Sequence, residues 1–565
     1  MKPIWICLFL CIGFLRTEAV PVRPGIVQEF HGSNGPVLKV LRGDERGYSW
    51  QSVSAAESIR PQAVRSTPRP VDYSPAAHIP VTGTVPVYVL AVHFPDLEAP
   101  SPLSEIINNV SAEAGGYFAD VSRGVLDLEF IPLADEWIEV DSTYQYFGSD
   151  GSGVDDANGE IFELTRLALM TADDLVDFSS LDTNDNGQFD AGEFHLLIIH
   201  AGEDQAFTGY SGDIWSHRWW VYGEAQGYED TFLDGVLVTE SGIAGDERSP
   251  GYTMVAWNDR LGVICHELLH SFGAPDLYDV GGNPETPVGY WSLMDIGVWL
   301  GTPQGSAPCR PGGYLEWDID ADPSNGMDGW MTPLSIQDGG YGVSRLGSGS
   351  GTELYLVETP VSGEYFMIEN RIQDGVDQAI PESGILIYHI DESQPVNNIE
   401  SNPPYRVWLE DPGISGYKRG AAYSSDDGPE QSAFTPETDP GTQTNRGFET
   451  GVSITAVSEE SEVMNFVLSG LGGPGIPDEF LVFPTRIHPG GTVTAVLPET
   501  GGKNGSIGLY NLQGRSLSRH TVAPGALAYV VDIPAWTGSG LYFVVYSSST
   551  VRHSTHVVIV PDEEG

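Results

Sequence analysis

Residues 265–279 read CHELLHSFGAPDLYD. His266 and His270 stand four apart, and residues four apart share one face of an α-helix, so a helix here aims two imidazoles at a common point. Leu261, Ile264, Leu268 and Leu269 supply an apolar face beside them, and Asn258 or Asp259 is placed to cap the helix start. Gly273 falls where a left-handed stop is wanted and Pro275 cannot continue the helix, so the chain must turn sharply. That turn can carry Asp276 back toward the imidazoles. Two ring nitrogens and one carboxylate oxygen leave a fourth tetrahedral position for water, the pattern of a catalytic zinc rather than a closed structural one. Glu267 is then the group expected to take a proton from that water and pass it to a departing amine.

A bare HExxH also occurs on amphipathic helices with surface histidines, so the surroundings have to decide. YWSLMDIG at 290–297 places Met294 in a later turn. HExxHxxG followed by such a methionine resembles the metzincin clan, in which the methionine forms an apolar floor beneath the metal. Further stretches, among them GYFADVSRGVLDLEF, FHLLIIHAGEDQA, DIWSHRWW, YFMIENR and SGILIYHID, resemble the immune-inhibitor-A-like secreted bacterial metallopeptidases from about residue 85 to 465. That resemblance implies Asp276 as third zinc ligand, a zymogen and bound calcium, with protein or peptide substrates. Asp279 is the other candidate, as a ligand or as a group that orients one from outside. His200 and His217 read as core or cleft residues, outside the zinc set. Tyr290 or His217 is a candidate to stabilise the tetrahedral oxyanion.

DTNDNGQFDAGE at 182–193 matches a twelve-residue calcium loop. Asp182, Asn184 and Asn186 take the first three ligand positions, Gly187 the turn, Gln188 gives its backbone carbonyl, Asp190 is ninth and Glu193 last. The same residues also make good Asx turns without metal. A strand follows the loop, which points to a structural clip.

The chain has 565 residues with 79 acidic against 26 basic side chains, a formal net charge of −53. Such a surface repels phosphate backbones and anionic lipid, which excludes nucleic-acid and peripheral-membrane roles. Met1 to Ala19 reads as a signal peptide, its apolar run well short of the roughly 20 residues a spanning helix needs. Residues 20–84 read as a pro-segment, 85–325 as a metzincin-like peptidase domain with the calcium loop, and 326–470 as its β-rich partner. A linker at 471–479 leads to a small β-sandwich at 480–565. The fold class is therefore α+β and multidomain. The last segment resembles the sorting domains of type IX secretion, which implies secretion machinery as a partner and a secreted or cell-surface location; a general binding sandwich is the alternative. Cys265 and Cys309 are either bridged or two buried thiols. The functional alternative to a zinc endopeptidase is an inactive, calcium-stabilised surface binding protein on the same fold.

Overall fold

A computed structural model describes most of residues 79–471 and the strands between 481 and 559. Ahead of residue 79 it describes little more than the backbone of four strands, and 150–159, 190–192, 222–230, 240–249, 280–285 and 320–328 are among the residues outside the described set. Most of the expected leader and linker therefore lie outside it, as does Asp190.

The N-terminal strands are β1 (Glu18–Ala19), β2 (Val27–Gly32), β3 (Gly35–Asp44) and β4 (Gly47–Ser52). β2, β3 and β4 form an antiparallel sheet of their own. The next unit carries β5 (Gly83–His93), α1 (Leu103–Val121), β6 (Leu126–Pro132), β7 (Ile138–Glu139), α2 (Tyr144–Gly148) and α3 (Glu160–Ala172). It continues through β8 (Leu196–His200), α4 (Gln205–Thr208), β9 (His217–Trp220), the hairpin β10 (Thr231–Leu233) and β11 (Val236–Thr239), β12 (Gly251–Ala256) and α5 (Leu261–Ser271).

The central sheet runs β1-β9-β12-β8-β5-β6, with β7 also on β5. β5, β6, β7, β8 and β12 are parallel, while β9 and β1 are antiparallel additions at one edge. Both faces are covered, which is why β5 is an unbroken apolar run. Val85, Val87, Val89 and Ala91 face a core shared with α1 and α5, and Tyr88, Leu90 and Val92 face a second core shared with α3. The α1 residues Ile106, Ile107, Val110, Ala114, Tyr117, Phe118 and Val121 recur at helical spacing and are buried in the first of these.

Beyond α6 (Gly313–Asp318) come β13 (Leu334–Ser335), β14 (Gly339–Ser344), β15 (Leu354–Glu358), β16 (Glu364–Arg371) and β17 (Gly384–Asp391). β18 (Val407–Leu409), β19 (Ser453–Thr455) and β20 (Val463–Ser469) complete the β-rich part. Its sheets β13-β15-β16-β17-β18 and β14-β20-β19 enclose Phe366, Ile368, Ile387, Met464 and Phe466. The opposite face of β16 and β17, with Met367, Leu386, Tyr388 and Ile390, belongs to the α1/α5 core. One apolar cluster thus runs through the unit that carries β5 to α5 and through the β-rich part. Strands from Leu481 to Ile559 form two further sheets around Val493, Ile507, Leu509, Val544 and Val557, a separate cluster.

Candidate metal centre

α5 starts without the side-chain cap expected of Asn258 or Asp259. Arg260 holds the N-cap position with extended backbone and no capping bond. Asp259 instead accepts from the Ala256 N–H and the Ser216 hydroxyl, both at 2.7 Å, and Asn258 donates to Glu203. The Gly262 N–H donates to the Gly305 carbonyl at 2.9 Å, so a neighbouring backbone serves the helix start that a side chain would otherwise cap. At the other end Gly273 adopts φ 92°, and its N–H donates to the His270 carbonyl. No Cβ obstructs that left-handed turn.

The turn brings Asp276 back beside the two imidazoles. His266 Nε2 lies 3.1 Å and His270 Nε2 3.3 Å from Asp276 Oδ1, and the two nitrogens are 3.2 Å apart. All three residues are at most 2% exposed. The proton positions follow from the other ring nitrogens. His266 Nδ1 donates to the Leu293 carbonyl at 2.9 Å and His270 Nδ1 to the Ala274 carbonyl at 2.8 Å. A carbonyl can only accept, so each Nδ1 carries a proton, and burial lowers the His266 pKa toward the neutral ring. Both Nε2 atoms then present lone pairs, and Asp276 Oδ1 has no hydrogen-bond partner.

Two ring nitrogens and a carboxylate oxygen thus converge on one point. Burial works to raise the Asp276 pKa, but positive charge at His270 and His266 would hold its carboxyl below the usual range. A cation at the same point supplies that positive charge while both rings stay neutral. The donor set, two imidazole nitrogens and one carboxylate oxygen, fits a zinc-class ion. It is also the group of three or more acidic, histidine or cysteine residues gathered closely enough to hold a metal among the described residues.

The turn at 288–296 supports this centre. Leu293 supplies the carbonyl that orients His266, and the Met294 carbonyl accepts from the Leu277 N–H beside Asp276 at 2.8 Å. The Met294 side chain is fully buried in the α1/α5 core. Asp295 ties the turn together: its Oδ2 accepts from the N–H groups of Val288 (3.0 Å) and Gly289 (2.7 Å), and its Oδ1 from Ile296 (2.8 Å). Burial raises its pKa to about 7. Sequence reading passed over Asp295; an acid directly after the turn methionine was the available signal.

The other candidates are placed as follows. Glu267 is fully buried on α5, next to His266. Asp279 Oδ2 accepts from the Tyr405 hydroxyl at 2.7 Å, which anchors it to the segment before β18. His200 and His217 are buried away from the triad, their Nδ1 atoms on the Ala201 and Trp215 carbonyls. His217 Nε2 pairs with the Tyr252 hydroxyl at 2.9 Å, so both of its nitrogens are engaged and it has no donor for an oxyanion. The Tyr290 ring lies under the Arg419 guanidinium, whose Nη2 donates to its hydroxyl at 3.3 Å. Cys265 and Cys309 are free, buried thiols.

In the 182–193 loop, the Gly187 N–H (φ 81°) donates to Asp182 Oδ2 at 2.8 Å and the Asn186 N–H to Asp182 Oδ1 at 3.2 Å. The Gln188 N–H donates to Asn186 Oδ1, and Glu193 Oε1 accepts from Thr183 and from the Asn184 N–H. The loop is thus closed by its own Asx bonds.

Residues 93–318 match the family described as immune inhibitor A peptidase M6, catalytic domain. The M6 match contains the whole triad, Glu267 and Met294. Immune inhibitor A of Bacillus thuringiensis subsp. alesti is 32% identical over 190 residues, 31% of this chain and 27% of that protein. The pre-pro-metalloprotease PrtV of Vibrio cholerae serotype O1 (strain M66-2) is 32% identical over 190 residues, 30% of this chain and 20% of its own length. The chain thus spans about a quarter of the length of these relatives. Among solved structures, a biofilm-associated protein BSP domain covers 15% of this chain and 14% of its own at 18% identity and a TM-score of 0.13, too low to speak for the fold. The segment around the M6 match is similar to metallopeptidases, and no helix among the described residues is long and apolar enough to cross a membrane.

Proposed function

We propose that the chain is a secreted zinc-dependent endopeptidase with a metzincin-like catalytic unit. The observation that carries this reading is the convergence of His266, His270 and Asp276 on one point, with each Nδ1 turned to a backbone carbonyl and each Nε2 inward. Zinc held there would supply Lewis acidity, polarising a peptide carbonyl and acidifying a water. The chain's own residues do the rest. Glu267 takes the proton of the attacking water and returns it to the leaving amine. The Leu293 and Ala274 carbonyls keep each Nδ1 protonated, so each Nε2 stays available. Met294 closes the site from the apolar side.

Glu267→Ala should abolish casein digestion by the processed protein while metal analysis still finds one zinc per chain. Digestion at wild-type rate by that variant would defeat the assignment. An inactive binding protein would digest nothing even as wild type.

The same proposal includes calcium in the 182–193 loop, supported by the match of its residue types to the twelve-residue ligand pattern, and latency conferred by the N-terminal segment. β4, which lies within residues 20–84, packs against residues 416–418. Removing the chain ahead of residue 79 should raise peptidase activity, and unchanged activity would exclude latency. A leader, and export aided by a sorting role of residues 480–565, complete the proposal; deletion of that segment should leave the protein inside the cell envelope.

A further inference from the structure

Val263, His266 and His270 fall at positions i, i+3 and i+7 of α5, so they share one face of the helix. Val263 also lines a cavity of about 220 Å³, one turn ahead of His266 and about 5 Å from it along the helix axis. Phe207 and Trp299, which ends the 296–299 turn after Met294, complete its apolar walls. Glu203, Asp204 and Asp259 make the rest of it acidic, and the exposed Arg260 stands at its side.

These acids lack basic partners. Asp204 is 1% exposed, and its Oδ1 accepts from the N–H groups of Ala206 (3.1 Å) and Ser216 (3.0 Å), whereas its Oδ2 has no hydrogen-bond partner. Asp259 Oδ2 accepts from the Ser216 hydroxyl, so Ser216 fixes the two acids side by side. Glu203 accepts from Asn258 at 2.8 Å. None of the three forms an ion pair with Arg260 or any other basic side chain among the described residues. A neighbouring cavity that shares Asp259 adds Glu105 and Glu113 to the same negative field.

Burial raises Asp204 to about 6 and Asp259 well above the ordinary carboxylate range. An incoming cation lets such acids ionise, and apolar walls that end in acids match a long aliphatic stem with a charged tip. We propose that this cavity is a substrate subsite for a lysine or arginine side chain. Glu203 and Asp259 meet the cationic tip, Asp204 charges the wall behind them, and Phe207, Val263 and Trp299 pack the stem. The assignment rests on the peptidase reading, since a peptide laid across the triad drops one side chain into the cavity, and it adds which residue type is selected.

The test uses processed, zinc-loaded protein carrying Glu267→Ala, so that binding is read without turnover. Fluorescein-labelled hexapeptides carry lysine, arginine, norleucine or glutamate at one position, scanned along the peptide, and anisotropy reports affinity. At one position lysine and arginine should bind roughly 10–100-fold tighter than norleucine, with glutamate weakest. Asp204→Asn and Asp259→Asn should each cut the lysine-to-norleucine ratio severalfold or more. Equal binding of lysine and norleucine at every position overturns the proposal, as does a lysine preference that survives both substitutions. Comparing peptides on the unaltered pocket keeps the test decisive if neither variant folds. Casein digestion by protein that retains Glu267 judges the peptidase reading separately: digestion with no basic preference overturns the subsite alone, and failure to digest overturns that reading while the binding comparison still judges the pocket.

Discussion

Asp295 makes no hydrogen bond to His266, His270 or Asp276, yet it shapes the turn that meets two of them. Its carboxylate gathers three N–H groups of the 288–296 turn, and the carbonyls of Leu293 and Met294 in that turn hold His266 and the residue after Asp276. An amide in its place can accept on one side only and sets an NH₂ group against a backbone N–H on the other. Asp295→Asn should lower unfolding free energy by roughly 2–4 kcal/mol. It should also weaken zinc binding about 10–100-fold, as losses of outer support do. A chelator-competition titration and the visible spectrum of the cobalt-substituted protein read this directly; wild-type affinity with an unaltered spectrum would show that the turn holds without it.

Elements meet through buried polar contacts as well as apolar ones. His389 of β17 lies between Glu364 of β16 (2.8 Å) and Glu410, just past β18 (3.2 Å), and is 4% exposed. Burial lowers its pKa, but hydrogen bonds and charge from the two carboxylates win and raise it to about 9. The folded value stands above the unfolded value of about 6.5, so the stabilisation is complete below pH ~6.5 and is lost as pH rises through ~9. It amounts to about 3 kcal/mol, an order-of-magnitude figure for a buried pair. The thermal midpoint should therefore fall between pH 6.5 and 9.5 more steeply in wild type than in His389→Gln. Parallel pH profiles for the two proteins would rule out a charged His389. Close backbone contact matters equally at this scale: a Cβ on Gly262 would run into the Val298 carbonyl oxygen, so only glycine lets the first turn of α5 dock against the segment after the Met294 turn.

Across the molecule, the peptidase-like unit and the β-rich part share a core and also a buried charge network. Arg371 at the end of β16 is fully buried, bonded to Asp377 at 2.6 and 2.7 Å and to Glu369 at 3.0 Å, and it donates to the Trp291 carbonyl. Arg310 and Arg123 both pair with the fully buried Glu316, and Arg123 reaches Glu353. Arg371→Met would strand two buried carboxylates and release Trp291, three residues before Met294. The expected cost is about 3–5 kcal/mol, with zinc affinity reduced as well. Urea unfolding followed by tryptophan fluorescence would measure it, and a loss under ~1 kcal/mol would show that the network does not join the two parts.

The sequence by itself determined what lies within a few residues. The spacing of His266 and His270 on one helix face and the stop at Gly273 follow from helix period and backbone sterics, whereas the choice between Asp276 and Asp279 did not. The strand after the 182–193 loop and the β-rich character of 326–470 were likewise legible. What only the tertiary structure decided depends on distant backbone. The Gly305 carbonyl serves the start of α5, leaving Asp259 to join Asp204 across Ser216. Asp295 finds its donors in the turn around it, His217 spends its nitrogens on Trp215 and Tyr252, and Arg371 crosses between two units. Periodicity records which face of an element is buried; it carries no record of which remote carbonyl, amide or carboxylate that face will meet.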